Sequence, residues 1–229
     1  MNVIVTGGTG ALGGAVTTRL LQDGHRVAAT WVDEREIESL DSEGDEPILI
    51  RADVTDAGSF GSAVAELEKR MGGVDALVHL VGGWSGGHMV HEHSDEIWHK
   101  MINLNLTSAF ICSRAVLPGM IERDHGRIVL VSTRTVERDR SGQVAYAVAK
   151  AGVEILAQTI AEEHIEANVT ANLIAPSTLD TPANRKSMPD ADWSKWVSTD
   201  DVAASISFLV SDSAGPLRGA RLPIYGGVK

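Results

Sequence analysis

The chain has 229 residues, 43% of them hydrophobic, enough to bury one large core, with two small ones the poorer alternative. A formal charge of −11 leaves no basic face for duplex nucleic acid. No run approaches the roughly 18 consecutive apolar residues of a membrane span, and the single cysteine, Cys112, excludes an internal disulfide and reads as a small buried hydrophobe.

The first predicted element is a strand, Asn2–Thr6. It runs into Thr6-Gly7-Gly8-Thr9-Gly10-Ala11-Leu12-Gly13-Gly14 and then a helix, Ala11–Gln22. Glycine there permits a tight turn and close backbone approach to a pyrophosphate, while the helix N-terminus adds free N–H groups and partial positive charge. Strands Arg26–Trp31 and Pro47–Arg51 follow, the second leading into Asp53-Val54. Next come helix Ser59–Met71, strand Val74–Val81, helix Ile102–Glu122 and strand Gly126–Ser132. Helix Val144–His164, strand Asn168–Ala175, helix Asp200–Val210 and strand Ala220–Tyr225 complete the chain. Short β-branched runs alternating with helices predict an α/β chain: one doubly wound Rossmann domain over 1–229, with about seven parallel strands and helices on both faces. Residues 177–197, rich in polar residues, Pro and Trp, interrupt the pattern, and such a long connection is more often functional than filler. Ser177–Trp196 is therefore expected to be a mobile lid.

Tyr146 and Lys150 stand four apart, so they share a helix face. Thr133 lies thirteen positions before Tyr146, just past the strand ending Ile128-Val129-Leu130-Val131-Ser132, and Asn105 sits in Asn103-Leu104-Asn105-Leu106-Thr107. In order, spacing and context these residues resemble the Asn-Ser-Tyr-Lys tetrad of the short-chain dehydrogenase/reductase family. The glycine loop resembles that family's TGxxx[AG]xG motif through Thr6, Gly7, Ala11 and Gly13, and Pro176-Ser177-Thr178-Leu179-Asp180-Thr181 resembles its PGxxxT turn. The resemblance spans essentially the whole chain. It implies a dinucleotide, NAD or NADP, held by Thr6, Gly7, Thr9, Ala11, Leu12, Gly13, Asp53, Val54, Gly82, Tyr146, Lys150, Pro176, Leu179 and Thr181. It also implies a homo-oligomer, expected to be a tetramer.

The chemistry asks for these residue types. Hydride transfer to a carbonyl leaves an alkoxide that needs a proton, and a phenol near pKa 10 carries one poorly at neutral pH unless a nearby ammonium favours the phenolate. Lys150 has that role and donates to the nicotinamide ribose, the Thr133 hydroxyl orients the substrate oxygen, and Asn105 holds a water linking Lys150 to solvent. The family usually has Ser where Thr133 stands, and Ser132 is the alternative source of the hydroxyl. His79-Leu80-Val81-Gly82 replaces the family's Asn-Asn-Ala-Gly, so the sheet-supporting Asn hydrogen bonds are expected to be lost, with His79 a structural substitute. Asp53 reads equally as an adenine neighbour or as the cap of a turn.

Two segments resemble, more narrowly, dihydropteridine reductase, a member that reduces quinonoid dihydropterin: Val81-Gly82-Gly83-Trp84-Ser85-Gly86-Gly87 and the stretch Leu179 to Trp193. Trp84 and Trp193 are accordingly candidate substrate contacts. Trp193 and Trp196, three apart, read as one apolar face of a lid helix, core packing and substrate stacking being equally supported. His88, His91 and His93 read as a solvated loop, and no metal is expected. Cofactor choice stays open: Trp31 occupies the place of the acidic residue that would hold the ribose of NAD, while Asp33 and Arg35 argue opposite answers. With no basic n-region or long apolar h-region after Met1, a cytoplasmic location is expected. The expected activity is hydride transfer between nicotinamide and a small carbonyl or alcohol, with Tyr146 as acid/base. Quinonoid dihydropterin reduction and non-catalytic NAD(P) sensing are the alternatives.

Overall fold

Seven strands form one sheet: β1 (Asn2–Thr6), β2 (Arg26–Trp31), β3 (Ile48–Arg51), β4 (Ala76–His79), β5 (Gly126–Val131), β6 (Val169–Pro176) and β7 (Arg221–Ile224). Their order in the computed structural model, which describes residues 1–34, 37 and 46–227, is β3-β2-β1-β4-β5-β6-β7. Every pairing is parallel, from β2–β3 at one edge to β6–β7 at the other. Chain order reverses between β1 and β4, which opens a crevice at the carboxyl ends of the strands, where ligands bind in sheets of this kind.

Among the described residues the α-helices are α1 (Ala11–Gln22), α2 (Ala57–Met71), α3 (Asp95–Ile102), α4 (Ser108–Glu122), α5 (Val144–Glu163), α6 (Pro182–Ser187) and α7 (Thr199–Val210). Two-residue alternation along each strand divides its side chains between two cores. Ile4 and Leu77 join Phe60 and Leu67 of α2, Val116 of α4 and Val153 of α5. Val3, Val5 and Val78 instead join Val16 and Leu20 of α1 and Ile206 and Leu209 of α7. Truncating any of these buried leucines to alanine is worth about 2–5 kcal/mol. Asp95–Glu122 and Val144–Glu163 are long and apolar enough to span a bilayer by length and composition, but each buries a face on the sheet through residues such as Cys112 and Ala157.

Several boundaries differ from those read in the sequence, each for a local reason. α2 begins at Ala57 because the Asp56 side chain accepts from Ser59 N, and it ends before Gly72, whose φ of +85° makes a left-handed cap. The long central helix starts at Asp95, not Ile102: Ser94 caps it by accepting from Ile97 N, with Asp95 and Glu96 in the first turn. Residues Asn103–Thr107 form a π-helical turn between α3 and α4. The excursion after β6 contains α6, begun by a Thr181 cap with Pro182 at its start. Its base is tied by Asp180 N to Val197 O at 2.8 Å and Val197 N to Thr178 O at 3.0 Å.

Candidate active site at the sheet's carboxyl edge

The glycine loop is built by backbone. Gly7 has φ +66° and its carbonyl accepts from Gly10 N at 3.1 Å. A Cβ on Gly13 would stand 1.9 Å from Gly7 O, so α1 reaches the loop only because residue 13 has no side chain. The N-cap of α1 is Gly10, with no side-chain cap, leaving the first-turn N–H groups of Ala11, Leu12 and Gly13 for an anion. Beside the loop lies a slot of about 170 Å³ lined by Gly7, Thr30, Trp31, Val32, Ala52, Asp53, Val54, Thr55, Val81 and Leu104. A glycine cradle beside a mainly apolar slot fits a dinucleotide. Asp53 lines the slot, and its carboxylate holds the turn by accepting from Thr55 N at 2.8 Å and Thr55 Oγ1 at 2.6 Å. Those bonds, led by the Thr55 hydroxyl, hold its pKa below the ordinary value. The Arg51 guanidinium lies 5.9 Å above the Trp31 ring, while Arg35 is outside the described residues.

The four residues of the expected tetrad converge on the crevice. Thr133 directly follows β5 and Ser132; its hydroxyl accepts from Thr135 N at 3.3 Å and stands near enough to the Tyr146 phenol to bear on its pKa. Tyr146 is half-buried; burial raises its pKa and the Thr133 hydroxyl opposes that rise. Lys150, one turn on, is 5% exposed, and burial lowers its pKa to about 8. Its Nζ donates to Val131 O at 2.9 Å and lies 6.0 Å from the centre of the Tyr146 ring. The phenol is thus raised where the sequence argument asks for an ammonium to lower it, because burial outweighs the opposing effect of the Thr133 hydroxyl. Ser132 points elsewhere: its hydroxyl donates to Glu154 Oε1 at 2.5 Å.

Asn105 is seated in the π-helical turn, an irregularity common at functional sites. Its Oδ1 accepts from Gly83 N at 3.1 Å, and its Nδ2 donates to Gly83 O and Met101 O, both at 3.0 Å. Its amide is thus occupied in clamping the strand exit, where Gly82 passes so close that a Cβ would meet Asn105 Oδ1 at 2.7 Å and Lys150 Nζ at 3.1 Å.

The expected loss of hydrogen bonds at the strand exit needs correction. His79 is buried, with Nδ1 2.9 Å from Thr6 Oγ1 and Nε2 3.1 Å from Ser108 Oγ. Ser108 spends its proton on Leu104 O, and Thr6 Oγ1 accepts from Leu80 N. Donor counting therefore puts the ring proton on Nε2, with Thr6 donating to Nδ1. A neutral histidine so joins the end of β1 to the π-helical turn, and burial, aided by the Lys150 charge, holds its pKa down at about 3.

At the mouth, Trp84 is 63% exposed and its indole N–H donates to Gln143 Oε1 at 2.8 Å, at the start of α5. The tryptophans of the excursion do not share a lid helix. They flank a single 3-10 turn, rings 6.4 Å apart, with Arg185 4.7 Å over Trp193 and bonded to Asp180 at 2.6 and 2.7 Å. The Thr181 hydroxyl caps α6 by accepting from Asn184 N, and Asn184 Nδ2 donates to Leu179 O at 2.9 Å. Pro176 ends β6 beside them. His88 and His91 are exposed, and among the described residues no group of three His, Cys, Asp or Glu is placed to hold a metal. Cys112 is fully buried, which raises its thiol pKa.

Reading the sequence missed Glu137, Glu154, Arg221 and Tyr225, which surround Ser132 and Thr133 from behind. The available signal was Glu154, four residues beyond Lys150 on the same helix face.

The profile of the short chain dehydrogenase family matches residues 1–192. Acetoacetyl-CoA reductase of Allochromatium vinosum is 31% identical, covering 98% of this chain and 97% of the relative. The 3-oxoacyl-acyl-carrier-protein reductase MabA of Mycobacterium tuberculosis is 33% identical, covering 99% and 92%. Among solved structures, that of gox2181 superposes with a TM-score of 0.91 at 29% identity over 99% of this chain and 95% of the other. Levodione reductase superposes with a TM-score of 0.90 at 25% identity over 99% and 96%. A Rossmann sheet with a glycine-rich first loop defines a nucleotide-binding class of protein. This chain belongs to the short-chain dehydrogenase/reductase family and is an enzyme of NAD(P)-dependent oxidoreduction.

Proposed function

We propose that the protein interconverts a small carbonyl compound and its alcohol, with Tyr146 exchanging the proton at the substrate oxygen. The pairing of Tyr146 with buried Lys150 one turn on along α5, its Nζ 6.0 Å from the centre of the phenol ring, with Thr133 at the end of the neighbouring strand, carries this reading. A bound nicotinamide dinucleotide supplies or takes the hydride. Two hydroxyls converging on one point can hold a carbonyl oxygen, Thr133 by donating to it and Tyr146 by passing a proton as negative charge develops. The raised phenol pKa keeps Tyr146 protonated at neutral pH, the form that reduction consumes. Lys150 then stabilises the phenolate left behind. Relatives named as reductases of acetoacetyl-CoA and of 3-oxoacyl groups on acyl carrier protein support a carbonyl at the reacting centre.

The nucleotide is held by the glycine loop from Thr6 to Gly13, by Asp53 and Val54 around the slot, and by Gly82, Tyr146, Lys150, Pro176, Leu179 and Thr181 along the crevice. Trp84 and Trp193 face the substrate, and residues 177–197 close over it and set its choice. Phe110 on α4 and Val148 and Ile155 on α5 are 44%, 44% and 62% exposed, which supports helix pairing in a cytoplasmic homotetramer. Light scattering at micromolar concentration giving only a monomer would remove the tetramer. Initial rates with acetoacetyl-CoA, a panel of small ketones and quinonoid dihydropterin, each with NADH and NADPH, test the activity. Turnover of a ketone is expected; turnover of the pterin alone would replace this reading with pterin reduction, and no turnover with tight nucleotide binding would leave a sensor.

A further inference from the structure

We propose that Arg221, on the edge strand β7, is a positioning residue that locks the Thr133 turn against the helix carrying Tyr146 and Lys150. Its guanidinium makes bonds in three directions. Nη2 donates to Thr133 O at 3.1 Å, the backbone of the residue proposed to work with Tyr146. Nε donates to Glu154 Oε1 at 2.8 Å on α5, one turn past Lys150. Nη1 donates to Glu137 Oε1 at 2.6 Å and to Tyr225 OH at 3.0 Å, and Tyr225 donates in turn to Glu137 Oε2 at 2.7 Å. Ser132 closes the circuit from the strand side through Glu154.

The three segments so joined are the end of β5 with its following turn, helix α5 and strand β7. The Thr133–Tyr146 pairing lies across the seam between the first two. Backbone bonding to the sheet ends at Ser132, whose N–H donates to Ile174 O at 2.8 Å, so Thr133 and the turn beyond it are held by other contacts. The Arg221–Glu154 pair is largely dehydrated, at 17% and 14% exposed, so its charges are less screened than a surface pair, whereas Glu137 on the outer side is 42% exposed. Removing the guanidinium would leave Glu137 and Glu154 facing each other across the Thr133 carbonyl. A lysine keeps the charge but cannot supply a planar fork to a carbonyl and two carboxylates together. Because a misplacement of about 1 Å is enough to cost about a hundredfold in rate, this hub controls turnover without touching substrate.

The inference rests on Thr133 and Tyr146 acting as proposed above, and its test separates the two. In Arg221→Met, kcat on the best carbonyl of the panel should fall about tenfold or more while the nucleotide Kd stays within about twofold. Arg221→Lys should lie between, and it serves if the methionine variant does not fold. In a Thr133→Val background the Arg221 substitution should add little, since the hydroxyl it serves is already gone. Unchanged kcat in the folded variant, or a loss fully additive with Thr133→Val, overturns the inference. If Tyr146→Phe retains turnover, or no panel carbonyl is reduced, the proposed function fails first. Hydrogen exchange then decides: Arg221→Met must speed exchange in residues 133–137 relative to the glycine loop, and equal exchange overturns the inference.

Discussion

The glycine loop proposed to cradle the nucleotide and the proposed proton-transfer centre lie at the same sheet edge but are made of different material. The cradle is contiguous, running from Thr6 to Gly13 in one turn, and what it offers is backbone: a carbonyl at Gly7 and helix N–H groups brought close by absent side chains. The proton-transfer centre draws single side chains from the π-helical turn, the end of β5 and α5, and each is held by others behind it. A backbone site fails when something is added to it; a side-chain site fails when something is taken away. His79 is the physical link between them, bonded to Thr6 on one side and to Ser108 beside the π-helical turn on the other.

The largest expected effect breaks the second site alone. Tyr146→Phe should lower turnover by about two or more orders of magnitude, with nucleotide affinity nearly intact. Retention of more than about a third of wild-type kcat would mean that Tyr146 is not the acid. The mirror experiment adds one methyl group to the first site. In Gly13→Ala the new Cβ would overlap Gly7 O, and nucleotide Kd should rise about tenfold or more while kcat at saturation changes little. Calorimetric titration giving an unchanged Kd would show that α1 does not need to approach so closely.

The link between the sites has a pH signature. Unfolded, His79 titrates near 6.5; folded, it is held at about 3 by burial first and the Lys150 charge second. Between those values the unfolded chain binds one more proton than the folded one. Stability therefore rises with pH across that window and is lost on acidification, by about 1.4 kcal/mol per pH unit from this group. Denaturant unfolding of wild type and His79→Asn between pH 6.5 and 4 should give a shallower dependence in the variant. Identical slopes would show that the ring is not excluded from protonation. The smallest effects belong to the mouth. Trp84→Ala or Trp193→Ala should raise substrate KM by about three- to tenfold and shift substrate preference more than nucleotide affinity. A lower melting temperature with unchanged preference would make these rings packing residues.

Sequence alone was sufficient for what depends on short-range order. Two-residue alternation in β1 and β4, helical periods between strands, and glycines at a turn after the first strand predict a doubly wound parallel sheet with a nucleotide loop, because each is a local constraint written in adjacent residues. Helix pitch puts Tyr146 and Lys150 on one face, but their grouping with Thr133 came from the resemblance to the family's tetrad and not from periodicity. Local signals also misplaced what distant contacts decide. Which hydroxyl faces Tyr146 was settled by Glu154 drawing Ser132 to the other side. Whether the strand exit loses its hydrogen bonds depended on Thr6 and Ser108, which lie 73 residues before His79 and 29 after it. The Arg221 hub joins residues up to 88 positions apart, a separation no periodicity encodes, and only the closing of β7 onto the sheet brings its charge to the Thr133 carbonyl.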